Sequence, residues 1–403
     1  VREPRTRPEH HLSDPGKEAR REAGIPVVPA FDGYRAFAIL AVVLLHMTTI
    51  SGVAAVGNHT VFARLIWGTL GHAVEILFLV SGFVVFLPAV ARGGKFGGTL
   101  SFAIRRGARL LPAYWMILLV SLVVIGVFHP AVSEFPGPRD AFLNFTGSMV
   151  PVGLFISGVP LGFGLNQPLW TLSVEVCFYI VLPFIAAAWF RRPFLGLVVA
   201  LLVTVGWSIA FDHVARVTDL LGVAADFNEL VRIKFSSALQ LPAWAYSFGL
   251  GMTGAWAWVR LTRSREDGGP AASVAGLAST FALLSLVALL VLAWVMGGEY
   301  DQTRESLPLS LLFSTMLATL MVALSLAPSR WQAPVATPLV RRLGDISYGI
   351  YLSHMLIAMT LASELSLPQD GDLKSLATWI AAVVPASILY GYLSARFLEQ
   401  PIR

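Results

Sequence analysis

In DGYRAFAILAVVLLHMTT (residues 32–49), ten uninterrupted apolar residues separate Arg35 from His46. Extended to about residue 55, the run is long enough to cross the ~30 Å hydrocarbon layer of a bilayer as a helix. Eleven positions at about 100° each come to three full turns, which leaves the two polar side chains within ~20° of one face. A rise of ~16 Å puts Arg35 at one lip of the membrane and His46 near mid-depth. Where water is excluded, an uncharged imidazole can act as a general base. A histidine hydrogen-bonded to a neighbouring helix for packing is the plainer alternative.

The rest of the chain repeats the pattern. Of its 403 residues 56% are hydrophobic and 13% charged, and the mean hydropathy is +0.71. The charged share is about half the ~25% of a soluble domain. Apolar runs near 36–55, 73–91, 110–128, 171–190, 193–211, 238–259, 272–296, 306–327, 344–363 and 375–397 predict an all-α integral membrane bundle of about ten transmembrane helices. The stretch 146–165 reads as loop or as a short re-entrant piece. Residues 1–30 read as a polar, mobile cytoplasmic tail and 31–403 as one membrane domain.

Twenty-two of the 29 Lys and Arg fall on the side where the chain begins, so both termini are predicted cytoplasmic. The net charge of +5 and the pI near 9.5 follow from anchoring at an anionic leaflet and do not argue for a nucleic-acid partner. A single cysteine, Cys177, excludes an intramolecular disulfide and a CxxC metal site. It reads as a small buried hydrophobe rather than an acyl carrier. The histidines are scattered, with His10 and His11 in the tail and His59, His72, His129 and His213 near outer loops. No metal site is expected.

Three further ionisable groups interrupt the apolar runs: Glu75 in GHAVEILFLVSGF, Glu175 in WTLSVEVCFYIVLPF and His354 in SYGIYLSHMLI. A carboxylate in lipid costs roughly 2.5–3.5 kcal/mol on insertion scales, so each is expected to face a polar interior or a structural partner. Ser81 and Gly82 read as small residues that allow close helix approach. In FAIRRGARLLPAYW, Arg105, Arg106 and Arg109 precede the third span, and Arg106 and Arg109 share a helix face. Their paired, permanently charged donors suit phosphate, although basic residues also anchor topology at such helix ends. Together these features describe a phosphate-binding mouth on the inside, a base at mid-membrane and carboxylates toward the outside.

With its R-x10-H spacing, GHAVEILFLVSGF, RGARLLPAYW, WTLSVEVCFY, GDISYGIYLSH and the closing FLEQP, all in order over residues 32–401, the chain resembles acyltransferase family 3. The resemblance implies a ten-helix membrane fold that takes acyl groups, commonly acetyl, from cytoplasmic acyl-CoA as co-substrate. It implies an acceptor hydroxyl on a sugar, polysaccharide, glycolipid or macrolide, and a place in the bacterial inner or plasma membrane. Arg35 and His46 become the essential pair, and Arg106 and Arg109, with Arg105, the donor site. Glu175, Ser347, Tyr348 and His354 then line the core, joined by Glu75, Ser81 and Trp170. Tyr34 stands where the family most often has Leu. No counterpart of the fused extracellular esterase-like domain of some members is expected, so the bundle or a partner is expected to complete transfer.

On this reading His46 accepts the acceptor's proton, Arg35 stabilises an oxyanion or holds coenzyme A, and Glu75 or Glu175 orients the imidazole or binds the sugar. A covalent acyl-histidine relay remains an alternative to direct attack. A secondary transporter or exporter of a sugar compound is the second class of function, since intramembrane His and Glu also serve proton relays. The sequence has no GxSxG elbow, GxxxxGK[ST] loop or HExxH helix. Outer-loop Asn144, Asn166, Trp170, Asp212, Asp219 and Asp226 are candidates for sugar contact and equally for solvated loop. The acceptor, the acyl chain and the oligomeric state stay open.

Overall fold

A computed structural model of the protein describes residues 24–53, 61–128, 135–155, 165–262, 270–297 and 306–399. Most of the expected tail, with His10 and His11, lies outside the described residues, as do His59 and His129. The chain runs through α1 (Ala30–Ile50), α2 (Val61–Leu70), α3 (Ala73–Ala91), α4 (Thr99–Phe128), α5 (Pro138–Phe145), α6 (Met149–Gly153), α7 (Trp170–Arg191) and α8 (Pro193–Asp212). It continues through α9 (Val214–Leu220), α10 (Phe227–Ala238), α11 (Leu241–Thr262), α12 (Ala272–Met296), α13 (Leu307–Leu326), α14 (Ser329–Ala336), α15 (Pro338–Leu365) and α16 (Leu373–Ser394). A π-helical turn, Ala395–Glu399, follows.

Among the described residues nine helices are long and apolar enough to cross a membrane, which makes this an all-α multi-pass membrane protein. The expected tenth span forms as α11, but its composition falls short of that standard. The reason is its position. α11 packs between α3, α8 and α13, where it meets protein and needs less lipid-compatible surface. A Cβ on Gly82 of α3 would lie 2.3 Å from Phe248 O, and one on Gly251 of α11 would lie 2.2 Å from Leu79 O, so the two backbones meet through reciprocal glycines. The opposite case is α8 and α12, whose outward Leu202, Phe194, Leu284 and Leu290 leave them mostly exposed in a lipid-facing belt.

Two apolar clusters form the interior. The larger joins α3, α4, α7, α11 and α13 around Phe83, Phe86, Ile117, Leu182, Phe248 and Met252. The smaller joins α1, α15 and α16 around Val43, Met47, Leu352's neighbour Tyr351 and the fully buried Trp379. A buried large side chain contributes roughly 1.5–3 kcal/mol relative to an exposed one in water, and in a bilayer tight packing supplies much of that role. Tyr34 is absorbed here: its hydroxyl donates to Met321 O at 2.9 Å and ties α1 to α13.

Residues 135–155, the described part of the segment between α4 and α7, fold back against the bundle, while 156–164, within the stretch read as loop or re-entrant piece, lie outside the described residues. Asn144 O accepts from Tyr114 Oη at 2.5 Å, halfway along α4, and Phe145 O accepts from Trp115 Nε1 at 3.0 Å. Tyr114 lies fourteen residues before the end of α4, or about 21 Å along its axis. Asn144 Oδ1 accepts Leu165 N at 3.1 Å, and Asn166 Nδ2 donates to Leu352 O at 2.7 Å. Both asparagines are therefore buried within the bundle and do not lie on a solvated outer loop. Asp212 pairs with Lys234 at 3.2 Å, and Asp226 caps α10 through Glu229 N at 2.8 Å.

Candidate functional site: two chambers and a histidine pair

At the end of the bundle where α1 begins, α3 ends and α4 begins, a cavity of about 560 Å³ opens. The chain entering α1, residues 25–28, forms part of its wall. Arg35, Arg92, Arg105, Arg106 and Arg109 line it, with Asp32 and Asp345 as the acidic members. Asp32 lies 3.9 Å from Arg35 on the same helical turn. Arg106 is held over two rings, Phe102 at 5.6 Å and Tyr179 at 5.3 Å. A guanidinium stacked in this way keeps its edge donors for an anion while its face is packed. Gly344 lets α15 close the wall, since a Cβ there would lie 2.2 Å from Asp32 O.

Deeper in, on the seam between the two apolar clusters, lies a chamber of about 100 Å³. Ile39 and Tyr351 come from the smaller cluster, Phe78, Leu110 and Tyr179 from the larger. Arg35, Arg106 and Arg109 line both cavities, so three guanidiniums stand on the wall between them. Glu175 is the chamber's acid. Its Oε1 accepts from Ser81 Oγ at 2.5 Å and from Tyr179 Oη. Its Oε2 makes no hydrogen bond among the described residues. Tyr351 Oη sits 2.6 Å from Thr171 Oγ1 and donates to Pro168 O at 2.6 Å. Tyr348 Oη donates to Leu110 O at 3.1 Å, and Ser347 Oγ to Gly344 O at 2.7 Å.

His46 lines neither cavity. It is half-buried one layer beyond the chamber, paired with the fully buried His354 at 3.2 Å between His46 Nδ1 and His354 Nε2. The rings lie 5.1 Å apart, tilted by 44°. The Tyr351 ring, 5.7 Å from that of His354, bridges the chamber and the pair.

The expected residues thus fall into separate groups. Arg35, Arg106, Arg109, Ser81, Glu175, Ser347 and Tyr348 meet in the chamber, whereas Arg105 lines the outer cavity only. Arg35 and His46 share a helix face as expected but serve different compartments. Glu75 makes no hydrogen bond to His46 among the described residues. Its Oε1 lies 2.8 Å from His72 Nδ1, its Oε2 accepts from Ser314 Oγ at 2.5 Å, and His72 stacks on Phe313 with centroids 4.0 Å apart. Trp170 lines neither of these two cavities; it stands 5.9 Å from Trp244 and 6.2 Å from Phe78, behind the chamber wall. Cys177 is half-buried instead of buried and likewise outside both cavities.

Thr171, Tyr179 and Tyr351 are chamber residues that sequence reasoning missed. The signal was present. Thr171, Glu175 and Tyr179 recur every four residues, one polar stripe on an apolar helix, and Ser347, Tyr351 and His354 form another.

The family model described as an acyltransferase domain matches residues 28–395. The chain is 25% identical over 395 residues to a peptidoglycan O-acetyltransferase, OatA, of Listeria monocytogenes serovar 1/2a, covering 93% of this chain and 56% of that protein. It is 24% identical over 391 residues to Nodulation protein 10 of Rhizobium leguminosarum bv. viciae, covering 92% of each. The chain therefore spans little more than half of the Listeria relative and nearly all of the Rhizobium one. No solved structure matches.

Proposed function

The chain belongs to the acyltransferase domain family, and from that premise we propose that it is an O-acyltransferase of the bacterial cell membrane, using acyl-CoA. The group moved is acetyl, by the activity in the name of the Listeria relative. The acceptor is a hydroxyl of a glycan, glycolipid or glycosylated metabolite, and the basic end of the bundle faces the cytoplasm.

The observation that carries this reading is the arginine wall. A cavity lined by five arginines suits the phosphates of coenzyme A, while the small chamber behind it, with apolar walls between its polar groups, suits a thin arm of amides that ends in a thioester. Arg35, Arg106 and Arg109 hold the donor where it passes from one to the other. Arg35 lies ~16 Å along α1 from His46, too far for an oxyanion formed beside that ring, so its role is with the donor. Glu175 Oε2 accepts from an amide or hydroxyl of a bound substrate.

His46 takes the proton of the acceptor hydroxyl as that oxygen attacks the thioester carbonyl. The C–S bond then breaks, the acyl–oxygen bond is complete, and coenzyme A leaves as the thiol once the proton is returned. For this the thioester must pass Tyr351, the side chain between the chamber and the histidines.

Mass spectrometry of surface glycans and glycolipids from cells with and without the gene identifies the acceptor. Purified protein in nanodiscs is then given labelled acetyl-CoA and that acceptor. His46→Ala is expected to lose about 10²–10⁴-fold in transfer, the usual range for a general base. Transfer at the wild-type rate in His46→Ala removes the base. Movement of the acceptor across liposomes without any change in its mass favours a transporter.

A further inference from the structure

The hydrogen bonds around the two histidines have a direction. His354 Nδ1 lies 2.7 Å from Tyr351 O, and His46 Nδ1 lies 2.9 Å from Val42 O. A carbonyl oxygen only accepts, so each Nδ1 must carry a proton. Two neutral imidazoles with Nδ1–H have bare Nε2 atoms. The contact of 3.2 Å between His354 Nε2 and His46 Nδ1 is then a donation from His46 Nδ1–H to the lone pair of His354, shared with Val42 O. The opposite direction sets a bare Nδ1 lone pair of His46 against Val42 O. In a water-poor interior, that lost pairing costs roughly 1–3 kcal/mol. Both carbonyls belong to helical turns, so the direction is built into the backbones of α1 and α15.

We infer that His354 is a positioning residue that, as a second acceptor beside Val42 O, holds His46 as the Nδ1–H tautomer and fixes its ring, leaving His46 Nε2 unprotonated and free of any partner among the described residues as the basic atom. The inference rests on the proposed role of His46 as base. It assigns which nitrogen receives the acceptor's proton and what holds that nitrogen bare. When His46 becomes doubly protonated, its Nδ1–H still points at an acceptor lone pair, so the charged ring is stabilised without any reorganisation. His354 touches no reacting atom. It acts through His46, much as a carboxylate fixes the tautomer of a histidine in other general-base pairs.

The deciding experiment is histidine ¹⁵N NMR of the wild-type protein in nanodiscs at neutral pH, with His46→Gln used to assign the His46 signals. His46 Nδ1 is expected at the shift of a protonated nitrogen and Nε2 at that of an unprotonated one. A protonated Nε2 in the wild type overturns the inference, whatever any variant does. Kinetics supply the second arm. His354→Leu removes the acceptor and is expected to lose about 10–100-fold in kcat, the range for a lost supporting partner, with KM for acetyl-CoA within about twofold because the donor phosphates bind elsewhere. His354→Gln keeps a carbonyl to accept from His46 and an amide to donate to Tyr351 O, and is expected to recover most of that loss. A His354→Leu protein with the wild-type tautomer and kcat overturns the inference. Wild-type activity in His46→Ala instead overturns the general-base reading, and the wild-type spectrum still decides the tautomer.

Discussion

Glu75 and Glu175 look alike in the sequence: each is a lone carboxylate near the start of an apolar helix, with small or hydroxylated residues nearby. In the fold they have opposite surroundings. Glu75 is 6% exposed, with one oxygen on His72 and the other on Ser314. Glu175 receives both of its protein donors, Ser81 and Tyr179, on one oxygen, and its other oxygen belongs to a cavity wall shared with three arginines. A buried carboxylate whose two oxygens are both engaged holds helices together. One that is clamped through a single oxygen keeps the other for something that arrives.

The sharpest way to break this contrast is to remove each acid. Glu75→Ala leaves His72 and Ser314 without their shared acceptor and is expected to cost about 3–5 kcal/mol of stability, the range for opening a buried pair. Thermal unfolding in detergent measures it, and a variant as stable as wild type would show that the cluster is not structural. Glu175→Gln keeps the size and one carbonyl acceptor. It is expected to reduce transfer about 100-fold, or ~2.7 kcal/mol, with a melting temperature near that of wild type. If transfer survives while the protein melts early, the two glutamates have been assigned the wrong way round.

Arg106→Lys addresses the wall beside Glu175. Lysine keeps the charge but loses the planar face packed on Phe102 and Tyr179 and the forked donors. KM for acetyl-CoA is expected to rise about tenfold, or ~1.4 kcal/mol, with kcat little changed. A fall in kcat alone would move Arg106 from donor binding to the chemical step.

The smallest effect belongs to a pair outside the spans. The Arg232 guanidinium hydrogen-bonds Glu229 at 2.6 and 2.8 Å and holds its carboxyl below the usual glutamate range, while Arg232 also donates to Gly153 O. A lowered folded-state pKa contributes stability that is present above the unfolded value and is lost as pH falls through the folded value. Glu229→Gln is therefore expected to destabilise by less than about 1 kcal/mol at neutral pH, the value for a solvated pair, with the gap to wild type closing on acidification. A gap that stays constant with pH would show that packing, not charge, sets it.

Much of this was legible because it is local. The apolar runs that make α1, α3, α4, α7 and α13 follow from composition, and the R-x10-H stripe from helical pitch alone. Thr171, Glu175 and Tyr179 could have been read by the same rule. Asn144 and Asn166 could not. Their polarity suggests a solvated loop, and only the path of the chain back into the bundle explains why both are buried. Glu75 was left between two readings, a polar interior and a structural partner, for a related reason: His72, three residues away, reads as a loop residue until α3 is seen to begin beneath Ser314 of α13.

By itself the sequence determined that the protein is a bundle of membrane-crossing helices and which residues share a face of each, because bilayer thickness and the 3.6-residue turn act within one segment. Which faces meet was decided only in three dimensions. Ser81 finds Glu175 across 94 residues, Ser314 finds Glu75 across 239 and His354 finds His46 across 308. Those encounters depend on helix crossing and on glycines that let backbones touch, and neither leaves a period along the chain.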